Sequence, residues 1–104
     1  MENKYTELSL PKLNNLKPNL ESTALKLMEE AGELAQVIGK QRGLNGEEIS
    51  KNKKDIYESL SSELLDVAQV AVSMMFVLEE EYDIDIEDKV NNHIKKLKDK
   101  GYIK

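Results

Sequence analysis

The fold is decided by residues 20–42, which read LESTALKLMEEAGELAQVIGKQR. Apolar side chains recur there every three or four residues, the spacing that places them on one face of an α-helix. The residues of this face are Leu20, Ala24, Leu27, Ala31, Leu34, Ala35 and Ile38. Asn19 is a suitable N-cap and Gly43 a suitable C-terminal stop. The pattern predicts an amphipathic helix at about residues 19–42.

A second helix is predicted at about residues 54–82, after a polar connection at 43–53 that contains two glycines. Its first half is amphipathic, and we expect Leu60, Leu64 and Val67 to face inward. Residues 67–78 carry only two polar side chains, Gln69 and Ser73. Because a helix that is apolar nearly all round must be covered on several sides, we expect homo-oligomerisation, as a dimer or a dimer of dimers. The alternative is that the other segments of the same chain cover it.

The chain ends in a third predicted helix, at about residues 85–100. Asp85 is its expected N-cap, with Asp88 three residues on, and Gly101 marks its end. The side chains expected to face inward are Val90, Ile94 and Leu97. Strand signals are almost absent, and two prolines interrupt the first eighteen residues, which we call the lead-in segment (residues 1–18). The sequence therefore predicts one all-α domain, an antiparallel helical bundle.

The length and composition of the chain exclude several classes of functional site. A chain of 104 residues holds one small domain. It has no cysteine, which removes thiolate metal sites and cysteine nucleophiles, and its one histidine, His93, cannot build a multi-histidine metal site. No apolar run reaches the ~18–20 residues of a membrane span. Residues 1–10 have no signal-peptide pattern, so we expect a cytoplasmic protein without a membrane partner.

Charge is distributed unevenly. The net charge is −5, made up of an acidic body over residues 1–88 and a lysine-rich end over residues 89–104. General nucleic-acid binding requires a broad basic face, so we expect no nucleic-acid partner. The distribution suits a site in which carboxylates and phosphate-binding lysines act together, although a solvated surface would show the same charges.

Two pairs of acidic residues lie beside the apolar faces of the first and second predicted helices. Glu30 and Glu33 are three residues apart on the first helix, as are Glu63 and Asp66 on the second, so each pair shares a helix face. Each pair lies ~14 Å along its helix from the connection, because the rise is 1.5 Å per residue. In an antiparallel hairpin the two pairs would face each other.

Such a group of carboxylates repels itself unless a cation or a proton intervenes. Oxygen ligands favour a hard divalent ion, Mg²⁺ or Mn²⁺, over zinc. The spacing thus predicts a metal site. The competing interpretation is that these acids line grooves filled with solvent and bind no ion.

The sequence EEAGE at residues 29–33, followed by ELLD at residues 63–66, resembles the E-E-x-x-E … E-x-x-D signature of the all-α nucleoside triphosphate pyrophosphatase superfamily, which includes MazG-like proteins. The resemblance covers about residues 20–100. It implies a helical bundle that assembles as a dimer or a dimer of dimers. It also implies Mg²⁺-dependent cleavage between the α- and β-phosphates of a nucleotide, which gives a monophosphate and pyrophosphate.

The resemblance also implies roles for individual residues. Mg²⁺ would be held by Glu30, Glu33, Glu63 and Asp66. Glu29, the first acid of the motif, would support the site or position water. From the chemistry of metal-bound water, we expect Glu29 or Glu33 to accept the proton of the attacking water. On the third helix, Lys89, Asn92 and Lys96 would contact the substrate, with Lys95 and Asn91 as neighbouring choices, whereas His93 is expected at the surface.

Two alternatives remain open. A non-catalytic helical interaction or regulatory protein would carry the same acids as surface decoration and would neither bind Mg²⁺ nor hydrolyse nucleotides. A phosphoribosyl-ATP pyrophosphatase belongs to the same superfamily and would differ in substrate. A di-iron carboxylate bundle is rejected because the Glu-x-x-His motifs that such sites use are missing.

Overall fold

A computed structural model describes residues 4–41 and 53–104. Within these ranges the chain forms three α-helices and no strand, which confirms the all-α prediction. The helices are α1 (Leu20–Gln41), α2 (Lys53–Tyr82) and α3 (Ile86–Asp99). The predicted stop at Gly43 lies outside the described residues, as does the predicted connection apart from residue 53, which opens α2.

The start of α1 is fixed by the predicted cap. The backbone N–H of Ser22 donates to Asn19 Oδ1 at 2.7 Å, and the Asn19 N–H donates back to Ser22 Oγ at 2.9 Å. The buried Thr23 hydroxyl donates to the Asn19 carbonyl at 2.7 Å. These reciprocal bonds satisfy backbone groups that the first turn of a helix leaves unpaired, so α1 begins where the sequence predicts.

A short turn separates α2 from α3. Asp83 has φ 55°, in the left-handed region that ends helices, and the Ile84 N–H donates to the Leu78 carbonyl at 3.1 Å. Asp85 then caps α3 as predicted, because its Oδ1 accepts from the Asp88 N–H at 3.0 Å. Only residues 83–85 therefore separate α2 from α3.

Gly101 ends the third helix, as the sequence predicts. It has φ 76°, which a glycine adopts without strain. Its N–H donates to the Lys98 carbonyl at 2.9 Å, and the Tyr102 N–H donates to the Leu97 carbonyl at 2.9 Å. This pair of bonds is the Schellman motif.

The helices pack in sequence order. Among the described residues α1 packs along α2, and α3 contacts α2 alone. The buried apolar side chains of the described residues are Ile56 and Val77, both on α2. Leu64 and Val90, expected to face inward, are exposed. That expectation was wrong for this single chain, because no element among residues 4–41 and 53–104 covers those two side chains.

The lead-in segment runs without regular secondary structure from residue 4 onward and lies against α2. The Gln69 side-chain amide donates through Nε2 to the Pro11 carbonyl at 2.8 Å. Lys12 forms an ion pair with Glu80. These contacts cover part of α2 and position the segment next to the carboxylates described below.

The chain is extended for its size. Its Cα radius of gyration is 17.0 Å, whereas a compact domain of this length has about 13 Å. By length and composition alone, Lys54–Tyr82 is apolar enough to cross a membrane, which is weak evidence because core helices of soluble proteins pass the same test. Glu63 and Asp66 interrupt this stretch, which is why the sequence shows no continuous apolar run of that length.

Candidate metal centre

Three of the predicted carboxylates come together between α1 and α2. Glu30 and Glu33 of α1 and Glu63 of α2 each offer one oxygen, and these atoms lie within 4.8 Å of one another. The i, i+3 spacing puts the first two on one face of α1, and the antiparallel packing of α2 brings the third opposite them. We call these residues the carboxylate group (Glu30, Glu33 and Glu63).

Burial is unequal across the carboxylate group. Glu30 is 7% exposed, Glu63 is half-buried and Glu33 is exposed. Glu30 Oε2 and Glu63 Oε2 are buried and accept no hydrogen bond from any residue that the structure describes. A buried carboxylate oxygen without a donor is costly, so these two atoms require a proton or a cation.

Lys26 neutralises only one side of the carboxylate group. Its Nζ lies 3.2 Å from Glu30 Oε1 and 3.5 Å from Glu29 Oε2. The hydrogen bond to Glu30, with the negative charge of that residue and of Glu29, raises the pKa of Lys26. The ammonium therefore stays protonated, but it pairs with Oε1 of Glu30 and leaves Oε2 unpaired.

Glu33 carries the unrelieved repulsion of the carboxylate group. The charge of Glu30 raises the pKa of Glu33 above its ordinary value, and the charge of Glu63 and partial desolvation add to the effect. Neighbouring carboxylates raise one another's pKa values because the charge of each disfavours ionisation of the next. Such a carboxyl is also better matched to accepting a proton near neutral pH.

The carboxylate group fits a hard divalent cation. All its donors are carboxylate oxygens, the set that Mg²⁺ and Mn²⁺ prefer. The three donor oxygens lie within 4.8 Å of one another, close enough for one ion to contact all three. Glu30 and Glu63 also each keep one buried oxygen without a partner among the described residues, and these atoms are already shielded from water.

Asp66 lies beside the carboxylate group and not within it. Its side chain is exposed, and it lines a cavity of about 470 Å³ together with Glu30. We call this space the α1–α2 cavity. Asp66 is about one helical turn beyond Glu63, and it shares the cavity lining with Glu30 of the carboxylate group. Its predicted role as a ligand remains a prediction.

The other predicted residues lie outside the carboxylate group. Glu29 points to solvent and pairs with Lys26. Lys89, Asn92 and Lys96 are exposed on α3, which does not contact α1, and they do not line the α1–α2 cavity. Asn92 Nδ2 donates to Asp88 Oδ2 at 3.5 Å.

His93 is exposed, as expected. Sequence reasoning missed the wall that the lead-in segment gives to the α1–α2 cavity, and it missed Ser73 as a buried polar residue there. A serine and a glutamine within the apolar half of α2 were the available signal.

A comparison with protein families adds to this geometry. The model of the MazG nucleotide pyrophosphohydrolase domain matches residues 19–101. The chain belongs to the MazG nucleotide pyrophosphohydrolase family. No curated protein and no solved structure matches the chain at a significant level.

The MazG match begins at the N-cap of α1 and ends at the glycine that stops α3. It includes the carboxylate group and Asp66, and it leaves the lead-in segment outside. Membership indicates nucleotide pyrophosphohydrolase activity in general, and the acidic group agrees with the divalent-metal dependence typical of the MazG family.

Proposed function

We propose that the protein is a Mg²⁺-dependent nucleoside triphosphate pyrophosphohydrolase that cleaves between the α- and β-phosphates. The products are a nucleoside monophosphate and pyrophosphate. The observation that carries the proposal is the meeting of Glu30, Glu33 and Glu63, where two buried oxygens have no partner in the described part of the chain. A polyanionic nucleotide would be repelled by these carboxylates alone, so the proposal requires the cation for which they are suited.

Glu30 and Glu63 are proposed as the main ligands because their unpartnered oxygens are already buried. Asp66 is proposed as a further ligand at the cavity side. When bound, the metal ion would orient the phosphates, neutralise their charge and lower the pKa of water. Lys26 holds the Oε1 side of Glu30, which orients the carboxylate plane.

Glu33 is proposed as the acceptor of the proton from the attacking water. It is the exposed member of the carboxylate group, so water reaches it, and its pKa is raised by its neighbours. Glu29, the other sequence candidate, pairs with Lys26 outside the group and is proposed to support the position of that lysine. No side-chain nucleophile is needed, in agreement with a chain that has no cysteine.

We further propose that the protein acts as a homo-oligomer, a dimer or a dimer of dimers, in the cytoplasm. The extended shape, the few buried apolar residues and the exposed Leu64, Leu65 and Met75 on α2 support it. Lys89, Asn92 and Lys96 are proposed as phosphate and base contacts that α3 supplies to the site of another copy, because α3 does not reach the carboxylate group of its own chain.

The test incubates the purified protein with a panel of canonical and modified nucleoside triphosphates and with phosphoribosyl-ATP, each with Mg²⁺, Mn²⁺ or EDTA. We expect metal-dependent release of pyrophosphate, and no release with EDTA. Release of orthophosphate instead would overturn the cleavage site. Activity confined to phosphoribosyl-ATP would overturn the substrate class. Absence of metal binding and of turnover would favour an interaction protein.

A further inference from the structure

The α1–α2 cavity has one wall that the MazG family match does not include. Leu13, Leu16 and Pro18 of the lead-in segment face α2 across a space of about 470 Å³. Pockets for small organic ligands have about 300–1,000 Å³ and predominantly apolar walls. Glu30 and Asp66 line the same cavity, so it opens directly beside the carboxylate group.

A polar group is buried at the inner side of this cavity. Ser73 lines it and is 7% exposed, and its Oγ makes no hydrogen bond with the residues that the structure describes. A helical serine can satisfy its hydroxyl on the preceding turn, but this one does not. A buried hydroxyl without a partner is unfavourable, and a ligand with polar edges would supply the missing hydrogen bond.

We propose that the α1–α2 cavity binds the nucleoside part of the substrate, and that residues 11–18 are its specificity-determining wall. This inference rests on the proposed function, because the phosphates are assigned to the carboxylate group. A nucleoside has flat apolar faces for Leu13 and Leu16 and polar edges for Ser73. Such a division, apolar walls with a few placed polar groups, is how protein pockets orient a ligand.

The wall is tied to α2 at two adjacent residues, Pro11 and Lys12. The Gln69 amide fixes the Pro11 carbonyl, and the Lys12–Glu80 ion pair ties the next residue to α2. Because these ties act on residues outside the family match, the wall lies outside the part of the chain that the family match covers. A change in the lead-in segment would therefore alter nucleotide preference without touching the carboxylate group.

The test measures binding, so that it does not depend on turnover. The probes are triphosphates of the four common bases, in ribose and deoxyribose form, with a non-hydrolysable α–β linkage. Tripolyphosphate, which lacks a nucleoside, is the reference probe. Dissociation constants are measured by calorimetry with Mg²⁺ for the wild-type protein and four variants of the full chain.

The variants form two matched pairs. Leu16→Ala shortens a side chain that lines the cavity, whereas Leu8 does not line it. The two leucines are similarly exposed, at 65% and 61%. Ser73→Ala removes the unpartnered hydroxyl, whereas Ser61→Ala removes an exposed hydroxyl that donates to the Tyr57 carbonyl on the same helix. Leu16 and Leu8 are both exposed, so neither change threatens the core.

We expect Leu16→Ala to weaken nucleotide binding roughly three- to tenfold and to reduce the differences between bases. Ser73→Ala should change the ranking of the nucleotides, while tripolyphosphate binding and both control variants stay at wild-type values. Unchanged nucleotide binding in Leu16→Ala and Ser73→Ala, or equal weakening for tripolyphosphate, would overturn the cavity assignment. Wild-type turnover in that case would leave the proposed function standing. Cavity-dependent binding without turnover would support the cavity assignment and overturn the proposed pyrophosphohydrolase activity.

Discussion

Glu30 on α1 and Glu63 on α2 bring carboxylate oxygens within 4.8 Å of each other, and each residue keeps a buried Oε2 without a partner among the described residues. Two like charges held this close in a partly buried site oppose folding. The arrangement therefore suits cation binding better than it suits the stability of the metal-free protein.

Glu33→Gln should stabilise the metal-free protein at neutral pH. The pKa of Glu33 is raised in the folded state above its ordinary value of 4.5. Folding is therefore favoured by this group below pH 4.5, and that contribution is lost as pH rises through the raised folded pKa. Removing the charge should raise the urea midpoint at pH 7 and have little effect at pH 4. Glu58→Gln, an exposed site on α2, is the control. An equal or lower midpoint at pH 7 would contradict the repulsion.

Mg²⁺ should raise the melting temperature of the wild-type protein in EDTA-treated samples. A ligand that binds only the folded state stabilises it by about 2.7 kcal/mol at 100 times its Kd. The shift should disappear in the double variant Glu30→Gln, Glu63→Gln, because its neutral amides remove the charge of both proposed main ligands. Calorimetric melting with and without Mg²⁺ measures it. A shift of equal size in the double variant would place the ion elsewhere.

Asp66→Asn should remove most turnover and leave the protein folded. The side chain is exposed, so its loss costs little packing, while Asp66 lines the α1–α2 cavity together with Glu30 of the carboxylate group. Circular dichroism and thermal melting check the fold, and pyrophosphate release checks the activity. Full Mg²⁺-dependent activity in this variant would show that Asp66 is not a ligand.

Light scattering should give a mass at least twice the 11.8 kDa of one chain. Met75→Lys should lower that mass, because Met75 is a partly exposed residue in the apolar half of α2. Leu8→Lys, a change on the lead-in segment, should not. A wild-type mass near that of one chain would mean that the exposed apolar surface of α2 is not an interface between copies.

Much of the fold follows from local signals in the sequence. The helix limits depend on Asn19, Asp85 and Gly101, whose hydrogen bonds or backbone angles act within a few residues. The meeting of Glu30 with Glu63 could also be anticipated, because helix rise and an antiparallel hairpin fix their relative height.

The site was harder to anticipate where it depends on distant contacts. The lead-in segment has no periodic pattern, and its position is set by long-range contacts such as Gln69 with Pro11. The exposure of Leu64 and Val90 was missed because periodicity indicates which face is apolar, but not whether this chain or another covers it.

The most direct measurement compares pyrophosphate release from the preferred nucleoside triphosphate by Glu63→Gln and Glu58→Gln, both on α2, in Mg²⁺. Because Glu63 places a buried, unpartnered oxygen in the carboxylate group, its loss should lower the rate by at least about 100-fold. Glu58→Gln should retain the wild-type rate. Equal, Mg²⁺-dependent rates in the two variants would contradict the claim that the carboxylate group is the catalytic metal centre.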